Sequence, residues 1–134
     1  MNEHSFIKSV HRTLPSEIFK WKIHDTFTGG VPDAFYCGPA GSLFIEYKFI
    51  KLPKKPSTKI KLNLSKLQLA LLERMSSFNQ NVAVVVGFTN NNKTHGVIMT
   101  NLKEWTNTYT NEYYLDSKKS IAKITQFINN QVLG

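Results

Sequence analysis

Two short apolar segments separated by a five-residue break constrain this chain more than any other feature. Val31 to Cys37 and Leu43 to Phe49 are rich in β-branched, aromatic and other apolar residues, with Gly38, Pro39, Ala40, Gly41 and Ser42 between them. A break of that composition closes a β-hairpin. Antiparallel pairing across it brings the start of the first strand opposite the end of the second, so Asp33 falls near Glu46, Tyr47 and Lys48. Because strand side chains alternate, Glu46 and Lys48 share a face and Tyr47 points away from it. Two carboxylates and an ammonium therefore converge on one spot. Asp33 and Glu46, with a backbone carbonyl such as that of Tyr47, make an oxygen-rich set that suits a hard cation such as Mg²⁺, which binds phosphate oxygens and keeps water for chemistry. Lys48 can then orient or deprotonate an attacking water, or offset charge on the phosphorus. The alternative is an ordinary hairpin in which Asp33 starts a turn and Glu46 and Lys48 form a solvated ion pair.

In order and spacing, Pro32-Asp33 followed by Glu46-Tyr47-Lys48 resembles the signature of the PD-(D/E)xK nuclease superfamily. The Lys-rich loop after Lys48 and the run Leu64-Ser65-Lys66-Leu67-Gln68 resemble its stand-alone VRR-NUC and archaeal-type Holliday junction resolvase branches. The resemblance covers approximately Asn2 to Met99 and leaves the C-terminal third unexplained. It implies a restriction-endonuclease-like α/β core, with a mixed central β-sheet flanked by helices, in a single nuclease domain spanning residues 1–134. It also implies Mg²⁺ as cofactor, replaceable by Mn²⁺, and catalytic roles for Asp33, Glu46, Lys48 and Gln68. The metal ligands would be Asp33, Glu46, the Tyr47 carbonyl and a glutamate of the first helix. Glu3 is the matching residue for that last position, 33 − 3 = 30 residues ahead of Asp33; Glu17, in the connection after Pro15, is the other candidate. Gln68 would hydrogen-bond a phosphate, a water or the catalytic lysine.

Charge points to the same class of partner. Seventeen Lys and Arg stand against nine Asp and Glu, a formal net charge of +8, which attracts polyanions through counterion release. The excess is concentrated: Lys48, Lys51, Lys54, Lys55, Lys59, Lys61 and Lys66 fall in a stretch that Pro53 and Pro56 keep from forming a regular helix. It reads as a flexible basic loop leaving the site, with Lys51 to Lys66 as DNA-binding residues. Gly29 and Gly30, just ahead of the hairpin, either let phosphate approach the metal or form a plain turn.

The remaining segments supply an α/β scaffold. Asn2 to Leu14 carries Phe6, Ile7, Val10 and Leu14 on one helical stripe, and Glu3 shares that stripe, which places its carboxylate inward. Phe19, Trp21, Ile23 and Thr26 alternate with Lys20, Lys22 and His24, as in a strand with one basic face. Ser65 to Ser77 reads as a helix capped by Ser65, with Leu67, Leu71, Leu72 and Met75 inward and Gln68 in its first turn. Val82 to Phe88 is a continuous β-branched run, the mark of a central strand buried on both faces. A turn at Asn90 to Lys93 returns the chain as an antiparallel strand over His95 to Met99, where His95 is a strand-end residue and not a general base. Trp105, Tyr109, Tyr113 and Tyr114 fall in an irregular segment, as packing residues first and as a dimer or base-stacking surface second. An amphipathic helix over Ser117 to Leu133 closes the chain.

Cys37 is the sole cysteine, which excludes a disulfide framework and a thiolate cluster and suits a reducing interior; its place in the hairpin reads as core packing. There is no apolar run of membrane-spanning length, and the N-terminus lacks the charged-then-apolar order of a signal peptide. These features suit a cytoplasmic protein, and the Asn- and Lys-rich composition suits a phage gene expressed in a bacterial host cell. The function that follows is metal-dependent DNA endonuclease, with branched DNA as the leading substrate and a homodimer to match the near-twofold symmetry of a junction. The alternatives are a restriction or repair nuclease acting on flaps, nicks or linear duplex, and a DNA-binding module without catalysis.

Overall fold

The computed structural model describes residues 1–25 and 27–134. Thr26, placed by its pattern in the first strand, lies outside the described residues. Helix α1 (Glu3–Thr13) is followed by strands β1 (Phe19–Lys22), β2 (Ala34–Gly38) and β3 (Gly41–Phe49), the short β4 (Lys59–Ile60), helix α2 (Lys66–Ser77), strands β5 (Val82–Asn90) and β6 (Lys93–Met99), helix α3 (Leu102–Thr106), β7 (Tyr109–Thr110), helix α4 (Asn111–Ser117), β8 (Lys119–Ser120) and helix α5 (Ile121–Val132).

Six strands form one sheet in the order β1-β2-β3-β5-β6-β8, and β4 pairs with β7 apart from it. Among the described residues only the β3–β5 pairing in the main sheet is parallel, because α2 carries the chain across the sheet between those strands; the other pairings are antiparallel. The sheet is therefore mixed. On one face α1 and α5 pack Phe6, Ile7, Val10, Ile124 and Ile128 against Ala34, Tyr36, Ile45, Tyr47 and Val85. On the other, Leu72 of α2, Trp105 and Tyr114 cover Val84, Val86, Phe88 and Met99. Covered on both sides, β5 has no exposed residue from Val82 to Phe88, as its unbroken apolar run requires.

Local signals place most of the boundaries. Asn2 caps α1 by accepting from the Ser5 N–H while the Ser5 hydroxyl accepts from the Asn2 N–H, and Ser65 and Gln68 make the same reciprocal box at α2. Asn91 and Asn92 adopt φ of 51° and 62°, the left-handed pair that a two-residue hairpin demands.

Several expectations are corrected. The closing helix starts at Ile121 and not Ser117, because Lys119 and Ser120 pair with Gly96 and His95 as an edge strand and Ser120 then caps the helix. Leu67 is 62% exposed, and Gln68 with Leu69, Leu72 and Met75 takes the inward positions of α2. Cys37 is only half-buried, since its face of β2 has no helix over it. The segment from 100 to 117 is ordered into α3, β7 and α4, with Trp105 and Tyr114 buried and Tyr109 stacked on Tyr113 at 4.1 Å. The basic loop is not free. Asn111 donates from its side chain to the Pro53 and Lys55 carbonyls, the Asn111 and Glu112 N–H groups donate to Thr58 and Pro56, and Lys59–Ile60 pair with Tyr109–Thr110.

Candidate active site

The β2–β3 register is Ala34 opposite Ile45, so Asp33 stands one residue beyond the last pair, opposite Glu46. Phe44 donates its N–H to Asn81, just ahead of β5, and Ile50, just past β3, donates to Gly87 of β5. The even-numbered backbone of β3 therefore faces β5, and the odd-numbered backbone faces β2. Tyr47 lies past the last β2 pair. Its N–H is taken by the Asp33 carboxylate, Oδ2 accepting at 2.8 Å, and its carbonyl points to the same side of the strand, where the register brings Pro32, which has no N–H to offer. The kink at Pro32-Asp33 thus leaves one backbone carbonyl beside two carboxylates.

Glu46 and Lys48 share the sheet face that α2 covers. Gln68 joins them: its Nε2 donates to Glu46 Oε2 at 3.1 Å, and its Oε1 accepts from Lys48 Nζ at 3.1 Å. Lys48 Nζ lies 3.9 Å from Glu46 Oε2. Glu46 is 2% exposed, and its other oxygen, Oε1, is buried with no hydrogen-bond partner. An ionised carboxylate in that position is costly. Burial first, then the charge of the Asp33 carboxylate and a hydrogen bond that a protonated Glu46 makes to it, push the Glu46 pKa up to about 9, against a smaller downward pull from Lys48. A buried carboxylate oxygen next to a second carboxylate and the Tyr47 carbonyl is the donor set a hard divalent cation would complete. Among the described residues no three Asp, Glu, His or Cys side chains form a metal cluster, so Glu3 stands outside the Asp33–Glu46 pair. Glu3 is exposed, not inward, because it is the first residue of α1 and the buried stripe begins a turn later at Phe6. It still faces the site: partial burial and the Asp33 charge raise its pKa, while Lys48 and Lys22 pull it down.

The other candidates are spread around this centre. Glu17 is exposed in the α1–β1 connection. Lys51, Lys54, Lys55, Lys59, Lys61 and Lys66 are all exposed, along the tethered loop and the start of α2. A cavity of about 650 Å³ between the start of α1 and the ends of β3 and β5 is lined by Glu3, Phe49, Lys51 and Thr89, among others, and borders the carboxylate pair only through Glu3. Gly29 and Gly30, at φ of 72° and 76°, pack against the first turn of α2. His95 sits on β6 across from Ser120, away from the site. Two contributions have no signal in the sequence. Asn111 ties down the loop from 56 to 58 residues away, and no local pattern marks it. Behind the sheet, His11 Nε2 and Tyr36 Oη are 2.7 Å apart, as are the Tyr36 and Tyr47 hydroxyls, which locks Tyr47 between Glu46 and Lys48.

Protonation of these groups gives the metal-free protein a peaked stability profile. Burial, with Lys20 and Lys22 nearby, lowers the His11 pKa to about 4, below its unfolded 6.5. Between those values the unfolded chain binds the extra proton, so stability falls as pH drops through that window. Glu46 runs the other way: from 4.5 to about 9 the folded state holds the extra proton, so stability falls as pH rises. Thermal melts in chelator should peak near the crossover of the two windows. Saturating Mn²⁺ should flatten the alkaline limb and leave the acid limb unchanged. An alkaline limb indifferent to Mn²⁺ would dissociate Glu46 from metal.

A mixed sheet with a parallel β3–β5 pair, helices on both faces and the hairpin carboxylates at the strand ends defines the restriction-endonuclease-like α/β fold. Among solved structures, the chain is similar to Hjc, a Holliday junction resolvase from the archaeal hyperthermophile Archaeoglobus fulgidus, with a TM-score of 0.53 over 94% of this chain and 97% of that one, at 13% sequence identity. That coverage extends well past Met99, so the C-terminal third belongs to the shared fold and is not an addition to it. A scan against family models finds no match, and neither does a search of curated proteins.

Proposed function

We propose that this chain is a divalent-metal-dependent endonuclease that cleaves branched DNA. The observation that carries the proposal is the buried, unpartnered Oε1 of Glu46, set beside Asp33 and the Tyr47 carbonyl and within one Gln68 bridge of Lys48. Asp33, Glu46 and the Tyr47 carbonyl would hold Mg²⁺ or Mn²⁺, with Glu3 reaching it through water. The bound ion would supply Lewis-acid polarisation of the phosphate and a water of lowered pKa. Lys48, its ammonium steered by the Gln68 carbonyl oxygen, donates to the attacking water or to the phosphate oxygen that gains charge. Gln68 keeps Glu46 and Lys48 from collapsing into a closed ion pair. The likeness to a junction resolvase supports branched DNA as substrate. So do the net charge of +8 and the row of exposed lysines, which recognise backbone and shape without reading bases.

A homodimer suits the near-twofold symmetry of a junction. Support comes from Trp21, Phe35 and Phe44, which lie in one row across β1, β2 and β3 on the Glu46 face, with Phe19 beside them; Phe19 and Trp21 remain 59% and 53% exposed. Two exposed aromatics at the free edge of the sheet, continuous with the half-buried Phe35 and Phe44, would suit such an interface. The deciding assay compares four-way, flap, nicked and linear DNA of equal sequence with Mg²⁺, alongside sedimentation of the protein. Paired cuts in the four-way substrate by a dimer are expected. Preferential cutting of flaps or linear duplex would favour a repair or restriction nuclease, and binding without cleavage would leave a DNA-binding module.

The loop separates binding from chemistry. Replacing Lys54, Lys55, Lys59 and Lys61 by Ala should weaken affinity for branched and linear DNA alike. It should flatten the slope of log affinity against log salt by about 0.9 for each phosphate that is no longer neutralised. Cleavage at saturating protein should barely change. An unchanged salt slope would make the loop a bystander and move the DNA path toward Lys20, Lys22 and α1.

A further inference from the structure

The first turn of α2 owes its place to two contacts, one from outside the helix and one from within. From outside comes Gly30. A Cβ on Gly30 would lie 2.6 Å from the Leu67 carbonyl carbon, 2.7 Å from its oxygen and 2.9 Å from the Gln68 nitrogen. These are all backbone atoms, so no side-chain rotation relieves the clash. Gly29 shares the left-handed conformation but would meet only Leu67 Cδ1, at 3.3 Å, the end of a flexible side chain. From within comes Ser65, whose Oγ accepts from the Gln68 N–H at 3.1 Å and whose own N–H donates to Gln68 Oε1 at 3.0 Å. The Ser65 N–H and the Lys48 ammonium are both donors, so both require the amide oxygen. The amide nitrogen is then forced toward Glu46.

We propose that Gly30 and Ser65 are positioning residues that act through Gln68: together they fix the orientation of its amide as a clasp between Glu46 and Lys48. The proposal rests on the nuclease reading of the site. It assigns a use to a capping box that a helix terminus would otherwise explain, and to a glycine that a turn would otherwise explain. Gly30 also precedes Asp33 by three residues, so the contact that seats α2 seats the loop bearing the second carboxylate. One backbone approach thereby sets Asp33 and Gln68 relative to each other, although they lie on elements that do not pair.

The test is a double-mutant cycle. Gly30→Ala, Ser65→Ala and Gln68→Ala are made singly, and each of the first two is combined with the third. Single-turnover cleavage, Mn²⁺ affinity by calorimetry and DNA affinity are then measured. Gly30→Ala should slow cleavage by about 10²-fold, the scale of a small misplacement, and weaken Mn²⁺ by about tenfold or more, with DNA affinity nearly unchanged. Ser65→Ala should do the same less strongly. In the Gln68→Ala background both effects should shrink to within about threefold, because the group they position is gone. Gly29→Ala, with the same backbone strain but no backbone clash, should slow cleavage clearly less than Gly30→Ala. Multiplicative effects in the cycle, or Gly29→Ala as damaging as Gly30→Ala, would overturn the proposal. If Gly30→Ala does not fold, the Ser65 arm decides by the same criterion. If the wild type cuts no DNA, the nuclease reading fails, while the Mn²⁺ cycle still decides the clasp.

Discussion

Asp33→Asn and Glu46→Gln should each reduce cleavage by at least about 10³-fold while the protein still folds and binds DNA. Each change keeps the shape of the side chain and removes the charge that would hold a divalent cation, and a metal ion supplies several kcal/mol of transition-state stabilisation, at about 1.4 kcal/mol per factor of ten. The two variants should differ in stability. Glu46 is buried with one oxygen unpartnered, so an uncharged amide removes an uncompensated burden, and Glu46→Gln should melt higher than wild type at alkaline pH in chelator. Asp33 accepts from the Tyr47 N–H, so Asp33→Asn keeps an acceptor there and should melt near wild type. Single-turnover rates, melts and Mn²⁺ calorimetry check all three statements. Loss of the thermal transition in either variant would make that residue structural.

Lys48→Ala should slow the chemical step by about 10²–10⁴-fold, the usual worth of a positioned proton donor or charge stabiliser. Mn²⁺ affinity should hold or rise, because a cation 3.9 Å from Glu46 Oε2 competes with metal for that carboxylate. Gln68 loses one donor but keeps the Ser65 N–H, so the clasp on Glu46 should survive. Affinity for DNA should fall little. Wild-type single-turnover rates in this variant would remove Lys48 from the chemistry and leave it as a surface counter-charge.

The difference between these two predictions lies in where each residue could be read. Glu46 and Lys48 on one face, with Asp33 opposite, follow from strand alternation and a hairpin turn, both of which act within a few residues. The seating of Gln68 was legible only in part. Its motif was visible in the chain, but the apolar stripe of α2 suggested Leu67 as the inward residue. The helix instead turns Gln68 inward, where its amide bridges Glu46 and Lys48, and leaves Leu67 exposed. Glu3 shows the same limit: three- and four-residue spacing put it on the buried stripe, but the stripe is covered only from Phe6 onward and Glu3 stays exposed.

Local chemistry determined the elements: the caps at Asn2 and Ser65, the left-handed Asn91-Asn92 turn, the apolar run of β5 and the hairpin whose register brings Asp33 opposite Glu46. Each depends on steric and hydrogen-bonding preferences that extend no more than a turn or a strand pair along the chain. Tertiary structure alone decided what those elements leave exposed or unpaired. It buried Glu46 until one oxygen lacked a partner, set the Asp33 carboxylate on the Tyr47 N–H, tied the lysine loop to Asn111, and left Phe19 and Trp21 exposed at the sheet edge. These outcomes are sums over groups far apart in sequence. Burial, unlike turn chemistry, is a property of what the rest of the chain happens to cover.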